Sequence, residues 1–369
     1  MYFEISRKEL LPPLKMIIGV VEQRQTLPIL ANTLIKVKDN GLYLTATDAE
    51  VEVACNLPLE SNIGSDSEGE TTLPARKLFD ICKSLSDTTT IQVTIEDTQA
   101  TIKAGKSKFK LQTLPAIDFP DRPQLQEQAS FTISQSNLKN LFSKTSFCIA
   151  VNDVRYYLNG ILLEIANGKI SLVGTDGHRM AVAQLDFDSE TNAKVIIPRK
   201  AVLELSKLLT DGDDEIKISF DDNHIRFELN DSLEISSKLI DGAFPDWQNV
   251  IPAEPDKIVI TEANTLKQAL TRAAILSNEK YKGVRLALTN NQLNISAKNS
   301  YQEEAEEIIE VEYTGDDLEI GFNGTYLLDA INVVSTNMVQ IALSDGNSSC
   351  LITEEDNDDS KFIVMPMRL

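Results

Sequence analysis

The stretch IKVKDNGLYLTATD, residues 35–48, decides the fold. Two β-rich runs flank Asn40-Gly41, and a tight hairpin turn needs positive φ at both of its central residues, which asparagine and glycine accept most readily. The same phrase returns as LEIANGKISLVGTD at 163–176 and as LALTNNQLNISAKN at 286–299, with turns at Asn167-Gly168 and Asn290-Asn291. The three turns are 127 and 123 positions apart. Downstream, LPARKLFDICKSL (73–85), IPRKAVLELSKLL (197–209) and FNGTYLLDAINVV (322–334) set apolar residues at three- and four-residue spacing, the pattern of an amphipathic helix. Arg76-Lys77 and Arg199-Lys200 are 123 apart. Each copy closes on a proline: Pro120 in TLPAIDFPD, Pro245 in IDGAFPDW and Pro366 in FIVMPMRL, 125 and 121 apart. One period kept through three unrelated features makes the chain a triplication.

Each copy reads strand, helix, several strands, a second helix and more strands. Few helices and many strands predict an α+β fold of three tandem modules, each with two helices packed on one face of antiparallel sheets. The expected modules are 1–122, 130–249 and 253–369, joined by DFPDRPQLQEQA (118–129) and VIPAEPDK (250–257). At 369 residues, 42% hydrophobic and 25% charged, the chain has enough apolar material for three cores. No run approaches the length of an apolar membrane span, and MYFEISRKELL lacks an apolar stretch with a small-residue cleavage site, so a cytoplasmic protein is expected. Cys55, Cys82, Cys148 and Cys350 lie far apart without a CxxC pair and are expected to be buried small residues rather than disulfides or metal ligands.

The formal charge is −21, whereas a nucleic-acid partner needs a basic footprint. Placement matters more than the sum. The six expected helices, 6–20, 74–85, 136–150, 198–209, 264–276 and 323–335, hold 13 Lys and Arg against 4 Asp and Glu, although the sixth has no basic residue; the rest of the chain holds 22 against 52. The helices are expected to share one electropositive surface while the sheets face outward with acidic charge, a partition that attracts a polyanion to one face only. Solvated helix faces without a partner are the plain alternative. In KAGKSKFKL (103–111), Lys106, Lys108 and Lys110 alternate with Phe109 and Leu111, and in YQEEAEEIIEVE (301–312) Glu303, Glu304, Glu306 and Glu307 oppose them in sign. Such charges either protect sheet edges or join the first repeat of one chain to the third of another, closing a ring.

Phosphate-binding loops, dinucleotide fingerprints and nucleophile elbows are all missing from the sequence. With only His178 and His224, a histidine metal site or a catalytic triad is poorly supplied. The best chemical candidate is GTDGHRM (174–180), with Asp176, His178 and Arg179 in one turn, but the matching LTATDAEV of the first repeat has no histidine. A structural turn recruited for binding fits better; a hydrolase using Asp176 and His178, or an interaction scaffold without DNA, are the rivals. EEDNDD (354–359) lacks the spacing of a calcium loop and is expected to be a solvated loop. No catalytic residue, metal or cofactor is expected.

The chain resembles the bacterial DNA sliding clamps, the β subunits of the replicative DNA polymerase III, over its whole length. The resemblance is carried by TLPIL (26–30), DVRYYLNG (153–160), TDGHR (175–179), RAAILSNEK (272–280), EEAEEI (303–308) and VMPMRL (364–369). It implies a non-catalytic processivity factor: a head-to-tail homodimer whose six domains form a ring, with helices lining a hole for double-stranded DNA held topologically and without sequence preference. By resemblance, Arg24, Arg76, Lys77, Asn152, Tyr156 and Tyr157 stand where the family meets DNA, and Arg199 and Lys200 join them by repeat symmetry. At the dimer contact Lys106, Lys108, Phe109 and Leu111 would face Ile275, Leu276, Glu303, Glu304, Glu306 and Glu307. The resemblance further implies one pocket per chain for short linear motifs of the polymerase III α subunit, the clamp loader, translesion polymerases and repair proteins. Its positions here are Leu158, Thr175, Gly177, His178, Arg179, Met180, Pro245, Val250, Ser349, Val364, Met365, Pro366 and Met367. Asn249 stands where relatives often carry a basic residue and Trp247 where they often carry tyrosine, so a shifted peptide preference at the pocket rim is expected.

Overall fold

A computed structural model describes residues 1–22, 27–59, 67–122, 124–189 and 191–368. Its α-helices are α1 (Arg7–Ile17), α2 (Ala75–Ser84), α3 (Gln135–Thr145), α4 (Arg199–Leu208), α5 (Ala263–Ala274) and α6 (Gly324–Asn332). α1 starts on a capping box: the Ser6 hydroxyl accepts the Glu9 N–H at 3.2 Å, and the Ser6 N–H donates to the Glu9 carboxylate at 3.3 Å. α6 starts on Asn323, whose side-chain oxygen accepts the N–H groups of Thr325 and Tyr326. α3 stops earlier than the expected 150, giving way at Ser146–Cys148 to a 3-10 turn.

The described residues form two compact units, Met1–Leu138 with Lys200–Leu239, and Lys139–Arg199 with Ile240–Leu369. In the first unit an eight-stranded antiparallel sheet runs Gly69–Pro74, Asn32–Lys38, Gly41–Thr47, Val51–Pro58, Leu233–Lys238, His224–Asn230, Glu215–Phe220, Ala129–Ser134. A four-stranded sheet runs Tyr2–Ser6, Thr90–Glu96, Gln99–Ala104, Ser107–Gln112. In the second unit the eight strands are Ala193–Pro198, Gly160–Ala166, Lys169–Thr175, Arg179–Asp186, Asn357–Val364, Cys350–Glu354, Met338–Leu343, Lys257–Glu262, and the four are Glu304–Glu310, Gln292–Lys298, Gly283–Thr289, Leu318–Asn323. Each eight-stranded sheet therefore takes four strands from each of two neighbouring sequence repeats. The seams are Val51–Pro58 against Leu233–Lys238, and Arg179–Asp186 against Asn357–Val364. Two units rather than three result because strand edges of adjacent repeats satisfy each other's backbone hydrogen bonds. α1 packs with α2, and α5 with α6, against the sheets of their own units. In the second unit Leu266, Leu270, Phe322, Leu327, Ile341 and Phe362 belong to one buried cluster.

Several expectations need correction. The first hairpin turns at Asp39-Asn40 (φ 51° and 57°), one residue early, because Lys38 pairs with Gly41. Alternation sets that register, with buried Val37 opposite buried Leu42. Pro120 and Pro245 lie 8 and 7 residues beyond strand ends at Gln112 and Lys238, whereas Pro366 lies 2 beyond Val364, so the third closing proline is not equivalent to the others. The acidic run 354–359 is not solvated throughout. Glu354 ends a strand, is 3% exposed, and accepts from Lys144 Nζ at 2.8 Å, the Ser335 N–H at 2.6 Å and Asn357 Nδ2 at 3.0 Å. Burial opposes its ionisation, but the Lys144 and Ser335 hydrogen bonds outweigh that and hold its pKa below the usual carboxylate range. The four cysteines are free and buried, and burial pushes the Cys55 and Cys82 thiols up to about 12 and about 11.

Candidate functional site

The turn 175–179 is built by its own side chains. The Thr175 hydroxyl donates to the Arg179 carbonyl at 2.7 Å and accepts the Gly177 N–H at 3.1 Å; Asp176 Oδ1 accepts the N–H groups of His178 and Arg179 at 2.9 and 3.1 Å. Gly177 holds φ at +86°, which favours glycine, and its Cα lies beside the Arg155 guanidinium. Arg155 in turn pairs with Asp153, and that side-chain bond together with a backbone N–H brings the Asp153 carboxyl down to about 2. With Asp176 spent on backbone N–H groups and on Arg179 Nε at 3.1 Å, it does not serve as a histidine orienter of the kind a hydrolase needs.

Arg179, expected at the pocket, points its charge inward. Its guanidinium meets Asp329 at 2.6 Å and the Phe147 carbonyl at 2.9 Å, and lies over the Tyr326 ring at 4.4 Å. It ties the turn to α6, a role that long-range contacts create and local sequence does not signal. The seam brings the other pocket positions together. Arg179 pairs with Val364 and Met180 with Ile363, and the Met365 N–H donates to the His178 carbonyl at 2.9 Å. The Met367 N–H donates to the Gly321 carbonyl at 2.8 Å. Met180 joins Leu162, Val182, Phe244, Trp247 and Ile363 in a buried cluster with Val250 against it. Leu158 and Val364 are buried, Ser349, Pro366 and Met367 half-buried, and Gly177, His178, Pro245 and Met365 exposed. Trp247 is not a rim residue: it is 6% exposed, with its indole N–H donating to Glu164 at 3.1 Å. Asn249 is exposed and donates to Asp246 at 2.7 Å.

The two four-stranded sheets, one in each unit, present opposite charges at one edge each. Ser107–Gln112 hydrogen-bonds only to Gln99–Ala104, and Glu304–Glu310 only to Gln292–Lys298, among the described residues. Lys106, Lys108 and Lys110 are exposed while Phe109 and Leu111 are half-buried. On the acidic strand Glu303, Glu304 and Glu306 are exposed, and Glu307 is held by Arg272 of α5 at 2.6 Å. Ile275, just past α5, is 74% exposed and Leu276 is half-buried.

The basic positions divide. Arg24 lies outside the described residues. Arg76 and Lys77 open α2 and are exposed, with Arg76 donating to the Val21 carbonyl at 2.7 Å; Arg199 donates to the Ile149 carbonyl at 3.0 Å. Asn152 is exposed at φ 56°, Tyr156 is 58% exposed, and Tyr157 packs edge-on to it. Lys200 departs from expectation. Its ammonium is taken up by Glu22 at 2.7 Å and Asp48 at 2.5 Å, because neighbouring loops bring two carboxylates to the start of α4. Of the thirteen helix cations counted in the sequence, Arg7, Lys144, Lys200, Lys207 and Arg272 are paired with carboxylates of the same chain, which lowers the positive charge available to a polyanion.

Repeated α+β modules joined strand to strand, with open edges of opposite charge and a buried apolar cluster at one seam, define a DNA-clamp type of protein. Family models of the DNA polymerase III beta subunit match along the chain: the N-terminal domain over 1–123, the central domain over 132–246 and the C-terminal domain over 248–368. The chain belongs to the DNA polymerase III beta subunit family, the sliding clamps, processivity subunits without catalytic activity. It is 50% identical to the beta sliding clamp of Pseudomonas aeruginosa and 44% identical to that of Escherichia coli, each over 100% of both chains. A crystal structure of a P. aeruginosa sliding clamp bound to griselimycin superposes with a TM-score of 0.95 at 50% identity, covering 100% of both chains. The strand seams run between the stretches that these three family models match.

Proposed function

We propose that two copies of this chain close head to tail into a ring around duplex DNA in the cytoplasm, tethering polymerases and repair proteins by short peptide motifs. One observation carries the reading. The fourth strand of the first repeat pairs with the eighth of the second, Val53 opposite Ile235, and the fourth strand of the second pairs with the eighth of the third, Ala181 opposite Phe362. The fourth strand of the third repeat, Glu304–Glu310, and the eighth of the first, Ser107–Gln112, are left over. Two such leftover pairs in two chains complete a closed ring with no open seam. Equivalence by register sets Ala305 opposite Phe109 of the second copy, hence Glu306 opposite Lys108 and Glu304 opposite Lys110. Phe109 and Leu111 then lie on the face that carries Glu307, Ile275 and Leu276, and Lys106 and Glu303 flank the paired run.

Contact with DNA is assigned to Arg76, Lys77, Asn152, Tyr156, Tyr157 and Arg199, and by resemblance to Arg24; Lys200 acts as an anchor between Glu22 and Asp48 rather than as a phosphate contact. Diffuse backbone electrostatics hold duplex without fixing register, which sliding requires. The partner pocket comprises Leu158, Thr175, Gly177, His178, Met180, Pro245, Val250, Ser349, Val364, Met365, Pro366 and Met367, positioned by Arg179, and it receives motifs of the polymerase III α subunit, clamp loader and translesion polymerases. Flexible methionines at its mouth suit many peptides. The proposed module limits are 1–122, 130–249 and 253–369. The test is retention: the loaded protein stays on closed circular DNA and is lost when the circle is cut, and equal retention on both forms refutes encirclement. Deleting residues 365–369 should abolish motif-peptide binding with the dimer intact; sedimentation as monomers would show the tail misassigned.

A further inference from the structure

The first unit contains a cavity of about 220 Å3, lined by the joint residues Pro120, Asp121 and Leu125 and by strands of the eight-stranded sheet. Register identifies it. Glu52 pairs with Ser236 across the first seam as Met180 pairs with Ile363 across the second, and Val51 pairs with Ser237 as Arg179 pairs with Val364. One strand further, Arg226 pairs with Ser236 as Leu351 pairs with Ile363. Counting from those pairs, the lining residues Thr47, Ala49 and Glu50 stand where the second repeat has Thr175, Gly177 and His178. Pro120 and Leu125 stand where it has Pro245 and Val250, 5 apart in both copies. The cavity is the first seam's version of the partner pocket. Its apolar centre has been exchanged for polar groups: Glu52, Arg226 and Ser236 occupy the places of Met180, Leu351 and Ile363.

Those polar groups form a row. Ser219, Arg226, Ser236 and Glu52 are successive cross-strand partners on four adjacent strands. Arg226 Nε, Ser236 Oγ and Glu52 Oε1, on three residues that line the cavity, are buried atoms without a hydrogen-bond partner, and Ser236 and Glu52 are 9% and 6% exposed. The Arg122 guanidinium stands 3.6 Å from Glu52 Oε1, near enough to offset charge but beyond hydrogen-bond length. Buried polar atoms are otherwise satisfied almost everywhere in folded proteins, so three in one row on the wall of a cavity point to a ligand. The ligand must donate to Glu52 and accept from Arg226 at once. A carboxylate would meet Arg226 but face Glu52, and an ammonium would do the reverse. A primary carboxamide satisfies both, with Ser236 able to donate or accept.

We propose that this cleft is a second docking site, taking the glutamine or asparagine side chain of an extended polar peptide between Glu52 and Arg226. It rests on the reading of the second seam as the partner pocket, and it would let one clamp hold two segments of a partner by different chemistries. The full-length chain, 15N-labelled, is titrated with acetyl-Gly-Gln-Gly-N-methylamide, with acetyl-Gly-Leu-Gly-N-methylamide as control so that glutamine supplies the only primary carboxamide, and with a polymerase motif peptide in a parallel sample. The glutamine probe should shift the amides of Glu52, Ser236 and Ser237, and the leucine probe should not. Arg226→Lys keeps the charge and removes the Nε donor, so affinity for the glutamine probe should fall about tenfold while the folded spectrum persists. Equal shifts from both probes, shifts confined to 175–180 and 363–367, or no shifts at the first seam overturn the second site. Failure of the motif peptide to shift the second seam overturns the partner pocket instead, whatever the glutamine probe does.

Discussion

Replacing Lys144 with methionine tests the buried Lys144–Glu354 pair of the second unit, because it removes a cation while keeping most of the stem. The Lys144 and Glu354 side chains are 7% and 1% exposed, with Nζ 2.8 Å from Oε2. After the substitution Glu354 keeps two of its three donors, the Ser335 N–H and Asn357 Nδ2. The loss should therefore fall at the low end of what breaking a buried pair costs, about 3 kcal/mol. For a unit of this size that lowers Tm by about 6 to 12 °C. The single tryptophan, Trp247, lies in the second unit, so its fluorescence in a urea melt reports the unit that is perturbed. The double variant Lys144→Met with Glu354→Met should regain most of the loss, since no unpaired charge remains. The pH dependence has a definite sign. Glu354's folded pKa is depressed, so its contribution is full above the unfolded value and is lost as pH falls through the lower folded value; Lys144→Met should flatten that acid limb. A loss below about 1 kcal/mol, or additive single effects, would refute the buried-pair reasoning.

Gly177→Ala forces an L side chain to φ +86° against Arg155, so it should cost about 1 to 2 kcal/mol locally and weaken motif-peptide binding measured by anisotropy. Gly19→Ala would crowd the Glu204 carboxylate, the movable end of its side chain, so calorimetry should show a loss below about 1 kcal/mol in the first unit with the Trp247 transition unchanged. At the proposed ring closure, Lys108→Glu with Lys110→Glu should shift sedimentation toward monomer, and Glu304→Lys with Glu306→Lys on the same chain should restore the dimer. Phe109→Ala should weaken the dimer more than Lys108→Ala, because an exposed charge pair is worth less than about 1 kcal/mol.

Local signals carried much of this molecule. Asn167-Gly168 adopts φ 54° and 73° as the hairpin phrase requires, because turn chemistry acts over a few residues. The apolar spacing of 199–208 and 75–84 makes the helices it predicts. Sequence alone suggests a rim position for Trp247, solvent for Glu354 and phosphate for Lys200, whereas Trp247 lies in a buried cluster, Glu354 is paired, and Lys200 holds Glu22 and Asp48. In each case the deciding partner is distant in sequence: Glu164, Lys144, and the loops after α1 and after Gly41–Thr47.

The sequence by itself determined the triplication, the α+β class, the alternation of each strand and the opposite charges on two strands, since these depend on turn residues, periodicity and composition within short windows. Only the tertiary structure decided which strands meet across repeats. Backbone hydrogen bonds between strands carry no residue identity, so the pairing of Glu52 with Ser236 or of Met180 with Ile363 is fixed by how whole sheets bury their apolar faces. That pairing makes two eight-stranded sheets that each span two repeats, and it sets a polar cavity at one seam where the other has a buried apolar cluster.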